Sequence, residues 1–178
     1  MIGTQNPMTV AWLVQPCAPG NTVVFNWSIA YSVMWSQTGN LAPGASFVTY
    51  GSANVDPSQG DIQKFGLLGP AYSFLGPYAS KGNPGTVGIA CDGTVQNNQV
   101  SLALGMANKP VFACAAQPNI NITFTPKPKY YLAFGQFQQG QIVDVATMSN
   151  SIELNYQAKG TYSFTAAIDA FNTWSLSP

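Results

Sequence analysis

The sequence predicts an all-β fold, a two-sheet antiparallel β-sandwich of Ig-like or jelly-roll-like topology, formed as a single domain over residues 1–178. Three observations predict it. Residues 23–35, VVFNWSIAYSVMW, alternate: Val23, Phe25, Trp27, Ile29, Tyr31, Val33 and Trp35 are large and apolar, and the positions between are mostly small or polar. A period of two places such residues on one face of an extended strand. Runs of this kind recur about every 8–12 residues with turn residues between them, the spacing of a sandwich or barrel. No window carries a helical period with caps, and the 17 Gly and 13 Pro fall between the runs rather than in a repeat.

Taken in order, residues 9–15 (TVAWLVQ) read as a first strand ended by Pro16. Residues 23–35 exceed the usual ~5–6 residues of a strand, which calls for a bend near residues 30–32 or a strand shared between two sheets. Gly39, Pro43 and Gly44 then force a loop. Residues 46–50 (SFVTY) form a short strand and residues 51–60 a polar loop. Residues 62–79 read as two strands joined by a tight turn. Residues 87–90 and 99–104 flank Asp92-Gly93, a strong turn dipeptide. Residues 110–115, 120–124, 130–137, 142–147, 152–156, 162–168 and 171–176 complete a meander, for roughly eight to twelve strands in all.

Composition narrows the function classes. Charged residues are 7 % of the chain, against a usual ~25 %. There are six Lys and no Arg or His, and the formal net charge is zero. The surface is therefore built from amides, hydroxyls and backbone. Such a surface suits sugars, flat hydrogen-bonding partners or self-association. It suits nucleic acid badly, because phosphate affinity rests on Lys and Arg. The absence of His removes the commonest general base and the Ser-His-Asp and Cys-His arrangements. No phosphate loop, cofactor motif or common zinc spacing is present. The expectation is a protein that is not an enzyme and takes no cofactor or metal.

Individual residues are weighed on the same footing. Asp144 and Glu153, on neighbouring expected strands, are the one carboxylate pair that glycosidase chemistry could use; the polar face of a hairpin explains them as well. Asp56, Asp61 and Asp92 read as turn formers before calcium ligands. Cys17, Cys91 and Cys114 read as buried thiols, with a Cys91–Cys114 disulfide as the alternative in an exported chain. Asn26 and Asn121 match the glycosylation sequon inside expected strands. Lys127 and Lys129, beside Tyr130 and Tyr131, are too few for stable membrane attachment. The N-terminus shows no signal peptide and no stretch is long enough for a transmembrane span, leaving a cytoplasmic location or non-classical export. The ligand-binding candidates are Trp35 and Trp174, as stacking rings, with Gln136, Gln138 and Gln139, as amides beside them.

Three stretches carry a resemblance: Val10-Ala-Trp12-Leu13; FNWSIAYSVMWSQTGNLAPG at residues 25–44; and QPNINITFTPKPKYYLAFGQFQQGQIVDV at residues 117–145, closed by Asn172-Thr-Trp174. Together they resemble the RhiA family of rhizosphere-expressed proteins. The resemblance runs from about residue 9 to the end and is weakest over residues 51–83. It implies a part in microbial life around plant roots and offers no catalytic or binding residue to carry over. It also implies further N-terminal strand sequence that this chain lacks, leaving room for a partner strand at a sheet edge. The function expected is a non-enzymatic binding or interaction protein in microbe–host or cell–cell contact, with a glycan or protein partner. The alternative is a structural protein that self-assembles into homo-oligomers through open sheet edges.

Overall fold

A computed structural model describes residues 8–127, 129–144, 148, 150–156, 160 and 162–177. The strands are β1 (Met8–Val10), β2 (Tyr31–Ser36), β3 (Gly51–Asn54), β4 (Ile62–Leu68), β5 (Ala71–Pro77), β6 (Val87–Cys91), β7 (Ser101–Met106), β8 (Lys109–Ala115), β9 (Asn121–Phe124), β10 (Tyr130–Ala133), β11 (Ile142–Val143), β12 (Ser151–Leu154), β13 (Thr165–Ile168) and β14 (Trp174–Ser177). The fold is all-β, with fourteen described strands where the sequence expects eight to twelve. No helix among the described residues is long and apolar enough to cross a membrane. The chain divides into two compact units, one of Met1–Pro126 with Phe137–Asp144, the other of Lys127–Gln136 with Val145–Pro178.

The first unit holds a six-stranded sheet, in the order β11-β1-β8-β7-β2-β3, and a four-stranded sheet, β5-β4-β6-β9. One core lies between them. Val33 and Trp35 of β2, Leu102 and Leu104 of β7 and Cys114 of β8 meet Phe65 of β4, Val87, Ile89 and Cys91 of β6 and Phe124 of β9. The intervening residues Met34, Ala103 and Ala113 join Val10, Phe47 and Ile142 in a second cluster on the other face of the six-stranded sheet. The middle of that sheet is thus buried on both sides. Each large side chain so buried contributes about 1.5–3 kcal/mol. Every described strand pair is antiparallel except β4 with β6, which is parallel, Ile62 opposite Gly88.

The long strand expected at residues 23–35 is shorter: β2 is Tyr31–Ser36. Its partner explains why. β7 pairs with it from Ser36↔Ser101 to Tyr31↔Met106. Beyond Met106 the chain turns back into β8 through Ala107 and Asn108, both at positive φ, and the Ala107 N–H closes on the Ala30 carbonyl at 3.0 Å. No ladder remains for residues 23–30, where Val24 and Ile29 are 68 % and 65 % exposed. Trp27 there packs edge-on against Trp12, with ring centroids 5.7 Å apart. Likewise β1 ends at Val10, short of the expected Gln15.

Residues 46–50 bridge rather than form a strand. Ser46 pairs with Gln141 as an isolated bridge, the Phe47 N–H donates to Gly140 O at 2.8 Å, and the Tyr50 N–H donates to Trp35 O at 2.9 Å. The strand starts at Gly51, inside the expected polar loop. Asp92-Gly93 does turn the chain, but between sheets, from β6 into β7, instead of closing a hairpin. The turn is anchored by Asp92 N–H to Phe65 O (3.0 Å), Asn119 N–H to Asp92 O (3.2 Å) and Leu67 N–H to Thr94 Oγ1 (2.8 Å).

The second unit contains two antiparallel ribbons, β10 with β12 and β13 with β14. In the latter, Ala166, Ile168, Trp174 and Leu176 form a half-buried face and Thr165, Ala167, Ser175 and Ser177 an exposed one. Its tip is fixed by Asp169 Oδ1, which accepts from the N–H groups of Phe171 (2.8 Å) and Thr173 (2.9 Å). Tyr156 packs edge-on against Tyr130 and Phe164, at 5.5 and 4.8 Å, and burial raises its phenol pKa. Of the expected strand 142–147, residues 145–147 lie outside the described residues, as does the start of the chain read for a signal peptide.

Candidate functional site

The candidate site grows out of an aromatic cluster. Trp35 points from β2 into the first core because odd-numbered residues of that strand face it. There Trp35 meets Phe65 of β4 at 5.8 Å and Tyr72 of β5 at 6.4 Å, and Tyr72 stacks on Phe65 at 5.8 Å with 13° between the rings. Trp35 itself is 7 % exposed. The ring that reaches solvent is Tyr50, 56 % exposed and stacked on Trp35 with centroids 5.5 Å apart and planes 28° apart. The chain must come close to place it: a Cβ on Gly51 would stand 2.5 Å from Trp35 Nε1.

A polar loop adjoins the cluster. The Gln96 N–H donates to Tyr72 Oη at 3.2 Å. Val95 is buried in the first core, whereas Gln96, Asn97, Asn98 and Gln99 are exposed. Asn98 adopts the left-handed region, φ 59°. Its carbonyl lies so close to Gly39 that a Cβ there would sit 1.7 Å away. The neighbouring turn is tied by Thr38 Oγ1 donating to Ser46 O at 2.9 Å and by Ser101 Oγ donating to Thr38 O. No charged residue occurs in residues 36–55 or 93–99.

The expected ligand residues divide between the two units. Trp35, Gln138 and Gln139 belong to the first unit, Gln136 and Trp174 to the second. The three glutamines are exposed. Gln139 Oε1 accepts from Lys109 Nζ at 3.0 Å, and the Gln138 N–H donates to Gln141 Oε1 at 2.9 Å. Trp174 is half-buried, and its Nε1 is enclosed with no hydrogen-bond acceptor among the described residues. Sequence reading misses Tyr50 and Tyr72; the adjacent Tyr50-Gly51 pair was the available signal, since glycine in a strand marks close backbone approach.

Other candidates resolve into structure. Asp56 Oδ1 accepts from Ser58 N–H at 2.8 Å, Asp61 Oδ2 from Asp56 N–H at 2.9 Å, and Asp92 Oδ1 from Thr94 N–H at 2.9 Å. All three shape turns. Asp61 also pairs with Lys81, whose hydrogen bond is the main cause of its lowered pKa. Asp144 follows β11, which pairs with β1, and Glu153 lies on β12, which pairs with β10; among the described residues β11 and β12 are not paired with each other. Cys91 and Cys114 are buried, and burial pushes their thiols up to about 11 and about 12. Cys17, expected to be buried, is exposed, within a segment, residues 15–22, that is exposed throughout. Asn26 and Asn121 are both exposed, Asn26 outside any strand.

Comparison with known proteins gives two matches. The RhiA family model matches residues 2–178. The chain is 31 % identical to Protein RhiA of Rhizobium leguminosarum bv. viciae over 178 residues, covering 97 % of this chain and 75 % of the relative. No solved structure matches.

Proposed function

The chain belongs to the RhiA family, and from that premise we propose that it is a non-enzymatic binding protein acting where a microbe meets a host, a matrix or neighbouring cells. Its preferred ligand class is a glycan. The observation that carries this reading is the character of the surface: the large rings of Tyr50, Tyr131 and Phe134 are 56 %, 45 % and 49 % exposed on a chain in which 7 % of residues are charged. Saccharides are recognised by such rings together with amide and hydroxyl groups, and the pairing needs no net charge. The test is an array of neutral and acidic oligosaccharides probed with the whole chain. Saturable binding to a related set of structures is the expected result; a blank array removes the glycan reading.

A second reading has its own observation. The edge strands β3 (GSAN) and β5 (AYSFLGP) carry no charged residue. Charges are a common guard against edge-to-edge pairing. Self-assembly through these edges predicts light scattering that grows with concentration. A strict monomer at high concentration counts against it.

A further inference from the structure

We infer that Tyr50 is the stacking platform of a site for a neutral pyranose chain, with the exposed loop Gln96-Asn97-Asn98 as its polar wall. The inference rests on the glycan reading above and names where and what the chain binds.

Three features of the platform matter. Its ring is exposed, so one face can meet a ligand. Its other side is backed by Trp35, so the ring does not need to be ordered on binding. Rigid aromatic surface loses little conformational entropy when it is covered. Beneath Tyr50 the packing continues through Trp35 to Phe65 and Tyr72, a stack anchored in both sheets. The C–H face of a pyranose ring is apolar and matches an aromatic face.

The polar wall is tied to the same stack. Gln96 is held by its N–H on Tyr72 Oη, and Tyr72 lies edge-on to Trp35. Val95 anchors the loop on one side, and close packing of the Asn98 carbonyl on Gly39 fixes it on the other. Side-chain amides offer donors and acceptors together, which is what the hydroxyl groups of a sugar require. The chemistry selects a neutral ligand: residues 36–55 and 93–99 contain no Lys to pair with a uronate or sulfate.

The test uses the full chain and its Tyr50→Ala, Tyr50→Phe and, as an exposed control, Val24→Ala variants, on immobilised neutral oligosaccharides (cello-, xylo- and manno-oligosaccharides) with oligogalacturonate as the acidic probe. Circular dichroism and a denaturant midpoint check each fold; Tyr50→Phe keeps the ring if Tyr50→Ala is unstable. The expected result is neutral binding that falls about ten-fold or more in Tyr50→Ala, consistent with loss of a ring contact. It stays within about two-fold in Tyr50→Phe and Val24→Ala. Neutral binding equal in folded Tyr50→Ala and the parent overturns the site and leaves the glycan reading standing. Binding restricted to oligogalacturonate overturns the neutral ligand. Failure of the parent to bind any saccharide overturns the glycan reading and this inference with it.

Discussion

The ring of Tyr50 lies 5.5 Å from that of Trp35, nearly parallel to it, one exposed and one buried. The pair joins the surface to the core, and its two members answer to different measurements. Trp35→Ala empties the centre of an aromatic cluster and is expected to cost about 3–5 kcal/mol. Urea denaturation followed by circular dichroism reads this. Tyr50→Ala, at an exposed position, is expected to cost less than half as much. Equal losses at the two sites refute this division between core and surface.

Gly66 makes a sharper prediction. A Cβ there would stand 2.2 Å from Asp92 Oδ2. Gly66→Ala is expected to destabilise by about 1–3 kcal/mol, the cost of overpacking. In Gly66→Ala/Asp92→Ala part of that loss returns, so the double mutant is more stable than the sum of single effects. A simple sum shows that the clash is relieved elsewhere.

The thiols should separate cleanly. At pH 8 in native buffer a thiol reagent is expected to label Cys17 at once and Cys91 and Cys114 only on unfolding. Burial keeps the latter two protonated, and the thiolate is the reactive form. Rapid modification of all three in native buffer contradicts the buried placement.

The same raised values set an alkaline limit. Below the ordinary thiol pKa of 9.0 folded and unfolded thiols are both neutral, and their contribution is fully present. As pH rises from 9.0 toward about 11 to 12, unfolded thiols release protons that the folded chain retains, so stability falls. Denaturant midpoints across this range should fall less in Cys91→Ala/Cys114→Ala than in the parent. Parallel slopes rule the thiols out as a cause.

The Asp61–Lys81 pair works at the other end of the scale. Its hydrogen bond lowers the Asp61 pKa, so its contribution is present above the ordinary carboxylate range and is lost as pH falls. Because both groups reach solvent, Lys81→Ala should cost at most about 1 kcal/mol at neutral pH and show little change in acid. A large loss at neutral pH places the pair in a wider network.

Much of this fold was legible because alternation and turn chemistry are local. The hairpin β4–β5 around Gly69-Pro70 and the strands β6, β7 and β9 lie within a residue or two of their expected positions. Misreadings arose where another segment decides. Residues 23–30 alternate as well as residues 31–35 do, but β7 reaches only the latter. The residues just after Asp92-Gly93 read the same whether the chain returns to its own sheet or crosses to the other. The site was harder still. Tyr50 stands out through the position of Trp35 beneath it, a relation between residues fifteen apart that periodicity does not encode. The glutamines were conspicuous by composition, and their placement in two units follows from chain tracing alone.

The pairing of β1 with β11, Thr9 opposite Val143, has a consequence for synthesis. Strands of the two sheets interleave along the chain, so the six-stranded sheet cannot be completed until residue 143 has left the ribosome. Until then the nascent chain carries a long-range contact unmade and an edge of β1 unpaired. Folding dominated by such distant pairings is slow, and partly made sheets are prone to associate. A premature stop before Ile142 should therefore yield an insoluble product, even though the truncated chain retains both aromatic walls of the core.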